Sequence, residues 1–132
     1  MEYATRAGAV TSRYYGETEE LLGQYAWYLL NAKDRSRPVG RKKPNDFGFF
    51  DMHGNVSCWC QGRFQEYPKT TGNKAVEDKE DVSDIDSSFK LPLRGGSFAN
   101  LPPNVRSAER DGVFPDFRNV TVGFRPARTI TP

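Results

Sequence analysis

Asn45-Asp46-Phe47-Gly48-Phe49-Phe50-Asp51-Met52-His53-Gly54-Asn55-Val56-Ser57-Cys58-Trp59-Cys60 concentrates the informative chemistry of this chain. It holds the only histidine, both cysteines and one of the two tryptophans. Phe47, Phe49 and Phe50 read as a short buried run. Asp51 to Asn55 reads as a tight turn, because glycine reaches positive φ freely and Asp and Asn bond their own backbone. Val56 to Cys60 is apolar and compact, which suits a strand. The expectation is a core hairpin. Its turn is either purely structural or an ion site, since Asp51 and Asn55 offer oxygens beside exposed carbonyls.

The surroundings fit one small domain. With 132 residues, 36% of them hydrophobic and 13% aromatic, the chain can bury a modest core in which large rings supply much of the area. A net charge of +2 gives no ground for nucleic-acid binding. No apolar run is long enough to span a membrane, and no secretory leader is evident. Cysteines at i and i+2 would close a strained ring, so reduced thiols and a cytoplasmic setting are expected. Met1-Glu2-Tyr3 enters structured-looking sequence at once, which suggests that an N-terminal portion is missing.

Outward from the hairpin, Glu2 to Val10 reads as the last turn of a helix stopped by Gly8. Thr18 to Leu22 offers a cap and an acidic first turn, followed by a short helix ending at Gly23. Lys33 to Lys43 is a basic run broken by Pro38 and Gly40, read as a solvated loop although it could grip phosphates. Residues 68–88 are acidic and poor in large apolar side chains, and read as a mobile loop. They lack the glycine-centred calcium-loop pattern. Leu91 to Arg94 reads as a strand entering a bend at Gly95-Gly96. Val105 to Arg110 and Val120 to Arg125 alternate and read as strands, with Asp111 to Asn119 a loop between them.

Taken in order, Glu2-Tyr3-Ala4-Thr5-Arg6-Ala7-Gly8, Tyr25-Ala26-Trp27-Tyr28, Asn45 to Trp59, Arg94-Gly95-Gly96-Ser97, Arg106-Ser107-Ala108 and Gly123-Phe124-Arg125 resemble the formylglycine-generating enzyme family, the sulfatase-modifying factors. The resemblance covers nearly the whole chain and corresponds to the C-terminal part of such a domain. It implies an α+β, C-type-lectin-like fold, loop-rich, with a small antiparallel sheet and little helix. It also implies structural calcium in some members. Active members are implied to be copper-dependent oxidases that convert a sulfatase cysteine to formylglycine, while relatives include iron-dependent sulfoxide synthases and binding modules, some diversified by retroelements.

The implied sites carry over unevenly. Ser97 matches the residue bordering the family's cleft, but the copper-binding cysteines should follow shortly after it. Phe98 to Val105 contains none, and a soft thiolate is what copper(I) requires. Copper and oxidase chemistry are therefore not expected. The implied calcium ligands map to Asp51, Gly54 and Val56, but Cys58 stands where the family has glutamate, so only weak calcium binding is expected. Ser57 replaces a large indole. Cys58 and Cys60 with His53 could form a soft-metal site, although free cysteine is more often a buried apolar residue.

The reading that follows is a non-catalytic binding or accessory module whose ligand site comprises Ser97, Asn100, Asn104, Arg106 and Arg110, with Arg118 nearby. Its partner would be a protein or small molecule, or other domains of a longer chain, with neither nucleic acid nor membrane involved. The alternatives are the sulfatase-cysteine oxidase itself, a metal-dependent oxidoreductase of the same fold, a retroelement-diversified binder, and a decayed fragment.

Overall fold

The computed structural model describes residues 1–66 and 85–128. Most of the acidic stretch expected as a mobile loop lies outside them. The ordered elements are few and short: α1 (Glu2–Arg6), α2 (Leu22–Tyr25), β1 (Ser57–Trp59), β2 (Leu91–Arg94), a 3-10 turn (Pro102–Asn104), β3 (Arg110–Val113) and β4 (Val122–Gly123). The strands form one sheet in the order β3-β2-β1-β4. Two of its pairings are antiparallel, and β1 with β4 is parallel. The small sheet is therefore mixed rather than wholly antiparallel. Among the described residues no helix is long and apolar enough to cross a membrane.

Packing centres on Leu22, Ala26 and Val105, with Tyr15 and Tyr28 laid against them. Leu91 and Leu93 alternate inward along β2, which is the period-two pattern of a half-buried strand. α1 ends where Ala7 turns left-handed (φ 49°) and donates its N–H to Tyr3 O, one residue before the expected stop at Gly8. α2 runs through Gly23 instead of ending there.

The expected hairpin is not formed. Asn45 to Phe50 is a turn rather than a strand, and β1 takes its partners from β2 and β4. The cause is Asn45. Its buried side chain accepts from the N–H groups of Phe47 (3.2 Å) and Phe49 (2.9 Å) and donates to Ala4 O (2.6 Å). With the polar residue anchored inward, the rings face out: Phe47, Phe49 and Phe50 are 47%, 47% and 41% exposed, so the buried run is corrected to a surface aromatic turn. Tyr3 joins it, with its ring 5.9 Å from that of Phe47.

The third strand also lies later than expected. Val105 to Glu109 is irregular, and β3 starts only at Arg110, the last residue of the expected strand, and runs into the stretch read as a loop. The two prolines open the 3-10 turn, and the carbonyls of Pro102 and Val105 are taken by the Arg13 guanidinium. Neither carbonyl is left for a ladder. Of the expected strand from Val120 to Arg125, only Val122–Gly123 pairs.

Candidate functional site

The turn after Phe50 and the bend after β2 meet. Asn55 O accepts from Phe98 N–H (2.8 Å), and Gly54 N–H donates to Gly95 O (2.8 Å). Asp51 and Asn55 both have positive φ, 53° and 60°. Their side chains grip the basic loop: Asp51 Oδ2 accepts from Gly40 N–H (2.7 Å), while Asn55 accepts from Arg37 N–H (2.9 Å) and donates to Arg37 O (3.0 Å). The loop is closed at its far end by Lys42, whose ammonium lies 3.7 Å from the Trp27 ring centroid, a cation–π contact.

The residues named for calcium therefore have other contacts. Asp51 Oδ1 is buried and has no hydrogen-bond partner. Val56 O faces the Cys58 thiol at 3.7 Å. Among the described residues no three His, Cys, Asp or Glu side chains are grouped to hold a metal.

The proposed ligand residues fall into separate groups. Ser97 is buried, and both its N–H (2.7 Å) and its hydroxyl (2.8 Å) donate to Asn100 Oδ1, so these two residues close one turn on themselves. Asn104 and Arg106 are brought together at the surface by Glu109, which accepts from Asn104 Nδ2 (3.0 Å) and pairs with Arg106 Nη2 (2.7 Å). Arg110 lies on β3, its guanidinium 4.8 Å over the Phe64 ring. Arg118 donates to the carbonyls of Pro115 (2.8 Å) and Phe117 (3.1 Å). It borders an open groove of about 700 Å³ lined by Trp59, Cys60, Leu91, Phe117 and Val122.

Behind this surface lies an arrangement that spacing did not reveal. Buried Arg13 donates to Val105 O (3.0 Å), Pro102 O (2.8 Å) and Glu17 O (3.0 Å), stapling the 101–105 loop to the N-terminal segment. His53 is fully buried, stacked on Tyr14 at 4.7 Å and 7°, with Nε2 3.3 Å from Ser107 Oγ. It does not join Cys58 and Cys60 as the possible third soft ligand, and is a fully buried core residue. Burial first, and then the nearby Arg13 charge, push its pKa down to about 3. Burial likewise raises the Tyr14 and Tyr15 hydroxyls and the Cys58 and Cys60 thiols.

His53 makes stability depend on pH in a defined direction. The unfolded chain takes up a proton near pH 6.5 that the folded chain refuses until about pH 3. The stability held by neutral His53 is complete above the upper value and is lost as pH falls between the two, at about 1.4 kcal/mol per pH unit. Urea midpoints measured between pH 7 and 5 should fall for the native chain and stay flatter for His53→Gln.

The fold and its loops define a class. The chain belongs to the sulfatase-modifying factor enzyme 1-like domain family, which it matches over residues 1–130. Among solved structures it is similar to Treponema denticola variable protein 1, with 31% identity and a TM-score of 0.79, covering 93% of this chain and 42% of that one. PvdO from Pseudomonas aeruginosa is 27% identical with a TM-score of 0.69, covering 93% of this chain and 47% of that one. By sequence, the serine/threonine-protein kinase pkn1 of Chlamydia pneumoniae is 33% identical over 87 residues, which is 66% of this chain and 14% of that protein. The chain thus spans less than half the length of each of these relatives.

Proposed function

We propose that this domain is a non-catalytic binding or accessory module of the sulfatase-modifying-factor fold. The observation that carries the reading is the segment Phe98 to Val105. In the family it resembles, copper-binding cysteines are expected there. In this chain it holds no thiol, and its backbone is packed down by Asn55 and Arg13. The binding surface is centred on the exposed edge of Asn104 and Arg106, with half-buried Arg110 on β3 and the closed turn of Ser97 and Asn100 as separate parts of it. Protein or small-molecule ligands suit such a mixed polar and cationic edge.

The same reading includes only weak calcium binding at Asp51, Gly54 and Val56. Asp51 Oδ1 is an unpartnered buried oxygen that a hard cation could use, but the other oxygen is held by Gly40 and Cys58 brings sulfur where a second carboxylate is needed. The reading is tested by oxygen consumption. Reduced, copper(I)-treated protein that unfolds cooperatively should consume no oxygen above background with a cysteine-containing sulfatase peptide. Conversion of that cysteine to an aldehyde would overturn the non-catalytic reading.

A further inference from the structure

The loop gripped by Asp51 and Asn55 carries a charge that this grip does not neutralise, because both side chains bind its backbone. From Lys33 to Lys43 it holds six cations and one acid, Asp34. The whole chain has a net charge of +2, so the remainder is net acidic. Elsewhere Arg6, Arg13, Arg94 and Arg106 each pair with a glutamate. Among the described residues no carboxylate pairs with any of the six loop cations. Lys33, Arg35, Arg41 and Lys43 are exposed.

The loop is also held in shape. Lys33 and Asp34 have positive φ, 55° and 52°, and the chain folds back so that Arg37 Nε donates to Ala32 O (2.8 Å). The N–H of Lys43 donates to Gln24 O (2.9 Å), and Lys42 Nζ donates to Gly23 O. Arg37 and Lys42 converge on one ring, 5.6 Å and 3.7 Å from the Trp27 centroid, and Lys43 lies 5.7 Å from the Tyr25 centroid. Like charges gathered this closely repel one another, and burial holds the Lys42 ammonium below its usual pKa range. An arriving anion relieves both, and a loop already fixed loses little further freedom on binding. We propose that Lys33 to Lys43 is a docking surface for an acidic polypeptide segment, centred on Arg37 and Lys42 above Trp27 and completed by the neighbouring Arg35, Arg41 and Lys43. The net acidic remainder of the chain repels a long nucleic acid or an anionic lipid sheet wherever it extends past the loop, whereas a short segment stays within it. Val39 and Leu30, 78% and 70% exposed beside these charges, offer apolar contact that peptide side chains use and a phosphate backbone does not.

The test titrates the whole chain with a short poly-glutamate peptide, followed by calorimetry at low salt. One peptide should bind per chain, and added salt should weaken it, because exposed charges are screened beyond about 8 Å at physiological ionic strength. Arg35→Gln combined with Arg41→Gln removes two exposed cations to which the described fold gives no hydrogen bond or ion pair. That variant should fold as the native chain does and bind about tenfold more weakly, the loss of two exposed ion pairs. Lys90→Gln combined with Arg128→Gln removes the same charge elsewhere and should leave the affinity unchanged. Folded protein that binds no peptide at low salt, or equal losses in the two variants, would overturn the surface. Tighter binding of duplex DNA, or of vesicles of phosphatidylserine and phosphatidylcholine, than of the peptide would overturn the choice of partner. Peptide binding is read separately from oxygen consumption, so this inference does not rest on the non-catalytic reading and either can fail without the other.

Discussion

Gly54→Ala should cost about 4 kcal/mol, a large share of the stability of a small domain. Gly54 has φ 72°, and a Cβ there would lie 2.2 Å from Trp27 O and 3.0 Å from Trp27 C. These are backbone atoms held by a parallel bridge between Trp27 and Gly54, and they cannot step aside without opening it. Left-handed strain and overpacking contribute roughly 1–3 kcal/mol each, against a total stability of about 5–15 kcal/mol for a domain. Gly48→Ala is the matched control. Its φ is 80°, but nothing lies within 4 Å of the added methyl, so only the strain of about 1 kcal/mol applies. Equal losses in denaturant midpoint for the two variants would show that the Trp27 contact is not what makes Gly54 necessary.

Arg13→Met should cost about 3 kcal/mol or more. The substitution keeps the apolar stem but removes the guanidinium from the carbonyls of Val105, Pro102 and Glu17. The first two bonds are buried: Val105 O is stranded, at roughly 1–3 kcal/mol, while Pro102 O keeps the Val105 N–H and loses a charge-assisted bond of roughly 1.5–3 kcal/mol. Arg13→Lys should recover only part of the loss, because one ammonium cannot reproduce the spread of the guanidinium fork. Hydrogen exchange gives a local readout. The Ser107 N–H, bonded to Ser12 O, should exchange faster in Arg13→Met, as should the Val105 N–H bonded to Pro102 O. Unchanged protection at both would mean that the loop is held by packing around Val105 alone.

What the sequence disclosed follows from the range of each interaction. Gly95-Gly96 marked a bend because two adjacent glycines free the backbone locally, and both have positive φ, 93° and 70°. Leu91 and Leu93 disclosed β2 by alternation alone. The family was legible because its motifs survive in order along the chain. What was not legible depended on partners far away. The outward turn of the phenylalanines needs Asn45 to find Ala4, and the displacement of β3 needs Arg13 to find Pro102 and Val105. A lone arginine between Ser12 and Tyr14 gives no local signal of such a role. Ser97 shows the converse: the motif marks it, and the structure engages its hydroxyl with Asn100. The contact of Met1 Sδ with Cys60 Sγ was likewise invisible, since the two residues lie 59 positions apart.

The pairing order of β1 has a consequence for how the protein is made. Both of its neighbours come later in the chain: Cys58 pairs with Arg94, and Ser57 with Val122. A ribosome adds roughly 5–20 residues per second. The central strand, with its tryptophan and two thiols, therefore waits through several seconds of synthesis before either edge is covered. During that interval it is an unpaired apolar strand of the kind that recruits chaperones or other nascent chains. Slow synthesis between β1 and β2 would lengthen this exposure, so the yield of this domain should depend on translation speed as well as on the stability of the finished fold.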